Sequence, residues 1–252
     1  MRTLEVLFTP ADFAALKQRD LSQTVCVVFD VLRATSSMVT ALNQGAAAIL
    51  PVEEIPEALA AKAKEPGILL AGERDGVRIR ADLAGGVDFD LGNSPREFTR
   101  EAVCGKTIAM STTNGTRALR ACAGARQVFV ASFLNLGATA ERLLKAPPSS
   151  LLLVCSGTFE QAAYEDVLGA GALCDRVWPD YQDGRIADSA IIARQIYRLE
   201  SGDLLAAMGR ARNGRRLLSR PDLSDDVAFC AQRDAFAIVA ELGADGRVRL
   251  AR

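Results

Sequence analysis

From residue 25 to residue 157 the sequence alternates short apolar runs with segments of helical period, and this rhythm constrains the fold more than any other feature. VCVVFD (25–30) is too short for a helix and is bounded by polar residues, so it reads as a buried strand. AAAILPV, GILLAGE, KTIAMST, QVFVASF and SLLLVCSG repeat that pattern. Between them lie ATSSMVTALNQ (34–44), IPEALAAKAKE (55–65) and GATAERLLKA (137–146), which read as helices, and TNGTRALRACAGA (113–125), which reads as a turn plus a helix. Parallel strands need crossover connections, so the alternation predicts an α/β fold: a mainly parallel or mixed sheet with helices on both faces.

Local punctuation refines the outline. Thr35, Ser36 or Ser37 is expected to cap a helix that Gly45 closes. In GNSPREF, Ser94 suits an N-cap, Pro95 the first helical position and Glu97 the return arm of a capping box. Residues 74–91 are rich in glycine and aspartate without a period, which predicts a long loop or irregular hairpin. Beyond Gly157 the pattern changes to a helix-rich C-terminal third without a strand-like run. The segment 237–252, AIVAELGADGRVRLAR, then predicts a terminal β-hairpin around Ala244-Asp245-Gly246. The 252 residues are expected to form a single unit, with a weak subdivision near residue 147 (1–147 and 148–252) as the alternative.

Composition narrows the chemistry. The chain contains no histidine, which eliminates Ser-His-Asp and Cys-His catalysis and nearly every histidine-containing zinc or iron site. Carboxylate, amine, hydroxyl, thiol and guanidinium groups remain, and a hard cation with oxygen ligands fits that inventory best. Six dispersed cysteines form no CxxC pair, and most of them are expected to be reduced core residues. A net charge of −1 supplies no field to gather polyanions, so nucleic acid is not an expected partner. No apolar run approaches the roughly 20 residues of a membrane span, and residues 1–13 lack signal-peptide features. A cytoplasmic protein without membrane contacts is expected, with a homodimer as the default assembly.

Ligands of open parallel sheets bind beyond the carboxyl ends of the strands. Polar residues collect at those ends: Asp30 with Arg33, Glu73 with Arg74, Thr112 with Thr113 and Asn114, and Cys155 with Ser156. FDVLRATSS places a carboxylate, a guanidinium and hydroxyls before a helix whose free N–H groups favour an anion. Asp30 as a simple helix cap with Arg33 as its salt-bridge partner explains the same segment equally well. Asn114-Gly115 suits either a tight approach to an oxyanion or an ordinary turn. Glu165 and Asp166 suit either an ion site or an exposed acidic face.

The chain lacks DxDx[TV] at Asp30, C-x5-R after Cys26 or Cys155, and any G-x4-GK[ST]. Taken in order, VVFDVLRATSS, AGERDG, FDLGNSPREF, STTNGTRAL, SFLNLGATA, CSG, YEDVLGAG and DDVAFCAQRD resemble the 2-phosphosulfolactate phosphatase family. The resemblance implies Mg²⁺-dependent hydrolysis of (2R)-2-phospho-3-sulfolactate to 3-sulfolactate and phosphate, a step of coenzyme M biosynthesis. It also implies a small anionic phosphorylated substrate held by Arg33, Arg74, Asn93, Ser94, Thr112, Thr113, Asn114 and Ser156. Metal ligands are expected from Asp30, Glu73, Glu165 and Asp166. Arg33 would stabilise the transition state while water attacks, or Asp30 or Cys155 would act as nucleophile. Another phosphorylated hydroxy acid as substrate, and a non-catalytic binder of phosphorylated anions, are the alternatives.

Overall fold

The computed structural model describes residues 1–251; Arg252, the last residue of the predicted hairpin segment, lies outside them. Among the described residues the strands are β1 (Thr3–Leu7), β2 (Thr24–Phe29), β3 (Ala48–Val52), β4 (Leu69–Arg74), β5 (Val77–Arg78), β6 (Thr107–Ser111), β7 (Gln127–Ala131), β8 (Ser150–Cys155), β9 (Arg185–Ile186), β10 (Ala240–Leu242) and β11 (Val248–Leu250). They form one mixed sheet of order β5-β4-β6-β3-β11-β10-β7-β2-β8-β1-β9. The fold is α/β, as the alternation predicts, and each apolar run listed above forms a strand.

Every residue of β2 is buried, as a strand covered on both faces requires. Val25, Val27 and Phe29 face a core closed by the helices Leu136–Lys145, Tyr164–Tyr181 and Asp188–Glu200. Cys26 and Val28 face the opposite core, closed by Ala34–Asn43 and Gly115–Ala121. Leu204–Arg210, Arg212–Leu218 and Asp225–Cys230 complete the helix-rich C-terminal third. No helix among the described residues is long and apolar enough to cross a membrane.

The terminal hairpin is present, but it sits in the middle of the sheet. β10 and β11 pair antiparallel; β11 is antiparallel to β3, and β10 is antiparallel to β7. Three antiparallel junctions in a row mean that the parallel group β4-β6-β3 runs opposite to the parallel group β7-β2-β8-β1-β9. The strand ends that carry candidate residues therefore do not share one edge of a uniformly parallel sheet. Twist of roughly 20–25° per step turns the groups across one another over the five steps from β2 to β6. The loops after β2, β4, β6 and β8 nonetheless line one cavity, through Asp30, Asp75, Thr112 and Gly157.

Other expectations need correction. β1 and β9 are additional strands beyond β8, with β9 at the edge of the sheet, and β9 interrupts the C-terminal third that reads as purely helical. Two residues of pairing are too short to leave a period in sequence. Arg33, not a hydroxyl residue, occupies the N-cap position of Ala34–Asn43, because Thr35 and Ser36 turn their hydroxyls back to the carbonyls of Asp30 and Val31. Gly45 ends that helix at φ +95°, as expected. Ser94 precedes only a short 3₁₀ turn, Pro95–Glu97, and makes no capping bond. Glu97 accepts from the Gly92 N–H at 2.9 Å, and the following α-helix begins at Arg100 under a Thr99 cap. Within residues 74–91, read as a long loop or irregular hairpin, β5 turns back on the end of β4, Glu73 opposite Arg78 and Arg74 opposite Val77, and a long loop follows.

Candidate active site

Asp30 projects from the end of β2 into a cavity that also exposes Arg33, Glu73, Asn93, Thr112, Thr113 and Asn114. Its position is fixed from the backbone outward. The Asp30 N–H donates to Thr35 Oγ1 at 3.0 Å, the Thr35 hydroxyl donates to the Asp30 carbonyl at 2.9 Å, and the Ala34 N–H donates to Asp30 Oδ1 at 3.2 Å. The helix start thus holds a carboxylate of its own. Gly115 makes room for it, since a Cβ there would lie 2.7 Å from Asp30 Oδ2 and 2.8 Å from the Ala34 Cβ. Asn114-Gly115 consequently provides a close approach between two segments. Burial pushes the Asp30 carboxyl up to about 6 against the pull of the Ala34 N–H and Ser156 hydroxyl, with the Glu73 charge adding to the rise.

Glu73 is held by three donors: the Gly76 N–H at 2.7 Å, the Thr113 N–H at 3.1 Å and the Thr113 hydroxyl at 2.9 Å. It closes the Asp75-Gly76 turn, whose φ values of 55° and 75° are left-handed. Arg33 donates to Asp226 Oδ2 at 2.8 Å and to the Gly76 carbonyl at 2.8 Å. Its charge is matched by Asp226, a fully buried residue that also accepts from the Ser94 hydroxyl at 2.7 Å.

Glu165 and Asp166 are buried on the first turn of Tyr164–Tyr181, so the exposed acidic face does not exist. Asp166 ties two loops together by accepting from the Val31 N–H at 2.8 Å, the Ser156 hydroxyl at 3.0 Å and the Gly157 N–H at 3.2 Å. Burial, with Asp30 and Glu165 nearby, raises its carboxyl well above the usual range. Burial pushes Glu165 up to about 7, opposed by the Asn213 side-chain amide that donates to its Oε1. Neither acid lines the cavity.

Four other expected site residues also stand back from the cavity. Arg74 spends its guanidinium on the carbonyls of Glu73 and Glu53 and on the Ser111 hydroxyl, clamping β4 to β6. Cys155 is wholly enclosed in the apolar core, where burial and neighbouring acids keep its thiol protonated. Ser94 and Ser156 support Asp226 and Asp166. Conversely, the cavity is completed by residues that sequence reasoning did not single out: Asp75, Gly76, Thr158, Phe159, Asn213, Arg216 and Arg220. DDVAFCAQRD contained Asp226 without any local sign that it would meet Arg33.

Among the described residues three buried side-chain atoms have no hydrogen-bond partner: Asn93 Oδ1, Thr112 Oγ1 and Glu165 Oε2. Leaving such atoms unpaired costs about 1–3 kcal/mol each, and native structures rarely do so without a ligand, water or ion. Asn93 and Thr112 line the cavity beside Asp30 and Glu73. Two carboxylates and an amide oxygen form an all-oxygen donor set that fits a hard divalent cation, with the Thr112 hydroxyl beside them. Among the described residues no three His, Cys, Asp or Glu side chains cluster closely enough to cage a metal. The fit is therefore to an ion that keeps most of its shell for water and ligand oxygens, as Mg²⁺ does.

Comparison with known proteins gives one consistent result. A family model described as 2-phosphosulpholactate phosphatase matches residues 12–245. A protein of Pseudothermotoga lettingae, named probable 2-phosphosulfolactate phosphatase, is 37% identical over 236 residues, covering 94% of each chain. Proteins of the same name from Caldicellulosiruptor saccharolyticus and Caldanaerobacter subterraneus are each 35% identical, over 88% and 94% of this chain and 90% and 95% of theirs.

Proposed function

Because the chain belongs to the 2-phosphosulfolactate phosphatase family, a family of phosphoric monoester hydrolases, we propose that it hydrolyses (2R)-2-phospho-3-sulfolactate to 3-sulfolactate and phosphate with Mg²⁺, a reaction of the coenzyme M type. The observation that carries the metal-dependent reading is the oxygen set at one cavity: Asp30, Glu73 and the unpartnered Asn93 Oδ1. Those three residues would hold the cation, and Glu165 and Asp166 would serve as buried supports. A non-catalytic anion binder leaves Asp30 and Glu73 unexplained, because uncompensated carboxylates repel phosphate.

When bound, the cation neutralises charge on the phosphoryl oxygens and on the leaving oxygen. The chain's own groups do the positioning. Glu73 keeps its orientation through Gly76 and Thr113, independent of any substrate. The buried Thr112 hydroxyl has no partner among the described residues and is free to donate to a phosphoryl oxygen. Arg33 ties the Gly76 turn to Asp226 and so shapes the wall beside the phosphoryl group. In this reading water attacks phosphorus as the bond to the C2 oxygen breaks, and Cys155 takes no part.

Asp30→Asn and Glu73→Gln are each expected to lower phosphate release at least a hundredfold, the scale of losing one group that stabilises transition-state charge. Near-wild-type rates in both variants would place the chemistry elsewhere.

A further inference from the structure

A substrate with a phosphoryl group and two further acidic groups needs cationic contacts beyond a single metal ion. The cavity is lined by three acids, Asp30, Glu73 and Asp75, and by three arginines, Arg33, Arg216 and Arg220. Arg33 brings no net charge, since it is neutralised by the fully buried Asp226. The helix start after Asp30 is also spoken for, with the Ala34 N–H given to the Asp30 carboxylate. Sequence reasoning named Arg33, Arg74 and helix starts as the anchors; Arg33 and Arg74 are both engaged within the protein.

Arg216 and Arg220 differ. The nearest acid to Arg216 is Asp75, with Oδ1 3.6 Å from its Nη2 and a side chain that is 87% exposed, so that pair is solvated and weak. The Arg216 guanidinium lies along Gly76, where a Cβ would come 3.6–3.7 Å from its Nη2, Cζ and Nε. A side chain there would meet the guanidinium at ordinary contact distance; what the turn asks of residue 76 is its φ of +75°. Arg220, four residues further on, makes no side-chain hydrogen bond or ion pair among the described residues, although it lines the same cavity. Leu217 and Leu223 beside them provide an apolar floor that weakens competition from water.

Accepting the phosphatase reading above for the identity of the substrate, we infer that Arg216 and Arg220 form a second anion pole that grips its acidic head, the carboxylate or sulfonate, apart from the group being hydrolysed. Guanidinium forks suit both groups, each offering two or more oxygens to parallel N–H donors. The pole also sets specificity: a phosphorylated alcohol without an acidic head leaves both arginines unanswered. Arg216 and Arg220 are binding residues in this account, and Arg33 is a positioning residue.

The test is calorimetric titration of the full chain in Mg²⁺ with two separate probes, 3-sulfolactate and inorganic phosphate. Arg216→Gln and Arg220→Gln are each expected to raise the Kd for 3-sulfolactate about tenfold, the loss of one charge-assisted contact. The Kd for phosphate should change less than threefold. Arg216→Lys, which keeps the charge and loses the fork, should fall between wild type and Arg216→Gln. Unchanged 3-sulfolactate binding in both Gln variants, parallel weakening of both probes, or no 3-sulfolactate binding to the wild type would overturn the inference. Failure of the phosphatase reading has a different signature: no phosphate is released by the wild type, whereas the binding measurements need no turnover.

Discussion

The Arg33 guanidinium donates to Asp226 Oδ2 at 2.8 Å across 193 residues of sequence, with the two side chains 3% and 0% exposed. Asp226 also takes the Ser94 hydroxyl and stands 3.3 Å from Arg96 Nε, so one carboxylate organises three segments behind the cavity wall. Removing one partner of such a pair leaves an uncompensated buried charge at a cost of about 3–5 kcal/mol. Asp226→Ala should lose that much in urea unfolding, and pairing Arg33→Met with Asp226→Leu should recover much of it. A loss below about 1 kcal/mol for Asp226→Ala would show that the pair does not organise the wall.

Gly115→Ala should damage function more than stability. The new methyl would press on Asp30 Oδ2 and on the Ala34 Cβ, so either the carboxylate or the helix start must move. Overpacking of this kind costs typically 1–3 kcal/mol, while misplacing a catalytic group by an ångström can cost about a hundredfold in rate. Turnover and thermal unfolding measured on the same preparation check this; full turnover would mean that the Asp30 position is not critical.

Burial sets the sign of a pH effect on the metal-free protein. The ordinary carboxyl values of 3.8 and 4.5 become about 6 at Asp30 and about 7 at Glu165 in the folded state. Between about pH 4 and 7 the folded chain therefore holds protons that the unfolded chain has released, so stability falls as pH rises through that window, and the raised Asp166 carboxyl adds to the fall. In EDTA, Glu165→Gln should flatten the fall, which for one proton is at most about 1.4 kcal/mol per pH unit. An identical decline in variant and wild type would show that Glu165 does not titrate there.

The β-strands that lead to Asp30, Glu73, Thr112 and Cys155 were legible because each is a short apolar run followed by polar residues. Which of those residues face the cavity was not, because strand-end position does not say where a side chain points: Arg74 turns to backbone carbonyls and Cys155 turns into the core. The opposed directions of the two parallel groups were hidden as well. They follow from the C-terminal hairpin inserting between β3 and β7, a pairing across nearly 200 residues at Ile49 and Val248. Arg216 and Arg220 were invisible for a related reason, since their stretch reads as an ordinary basic helix until its packing brings it over the Asp75-Gly76 turn.

Direct attack by water makes a stereochemical prediction. With a substrate analogue carrying a chiral [¹⁶O,¹⁸O]thiophosphoryl group, hydrolysed in ¹⁷O-labelled water, single displacement by water should invert the configuration at phosphorus. Retention would establish a phosphoenzyme intermediate, formed and broken by two displacements, and replace the water mechanism.

The most direct measurement is phosphate release from (2R)-2-phospho-3-sulfolactate by the purified wild-type chain, followed in Mg²⁺, after EDTA, and after excess Mg²⁺ is restored. Release should occur in Mg²⁺, fall at least about a hundredfold in EDTA and return on restoration. Absence of release in Mg²⁺, or release equally fast in EDTA, would contradict a metal-dependent phosphatase built on Asp30 and Glu73.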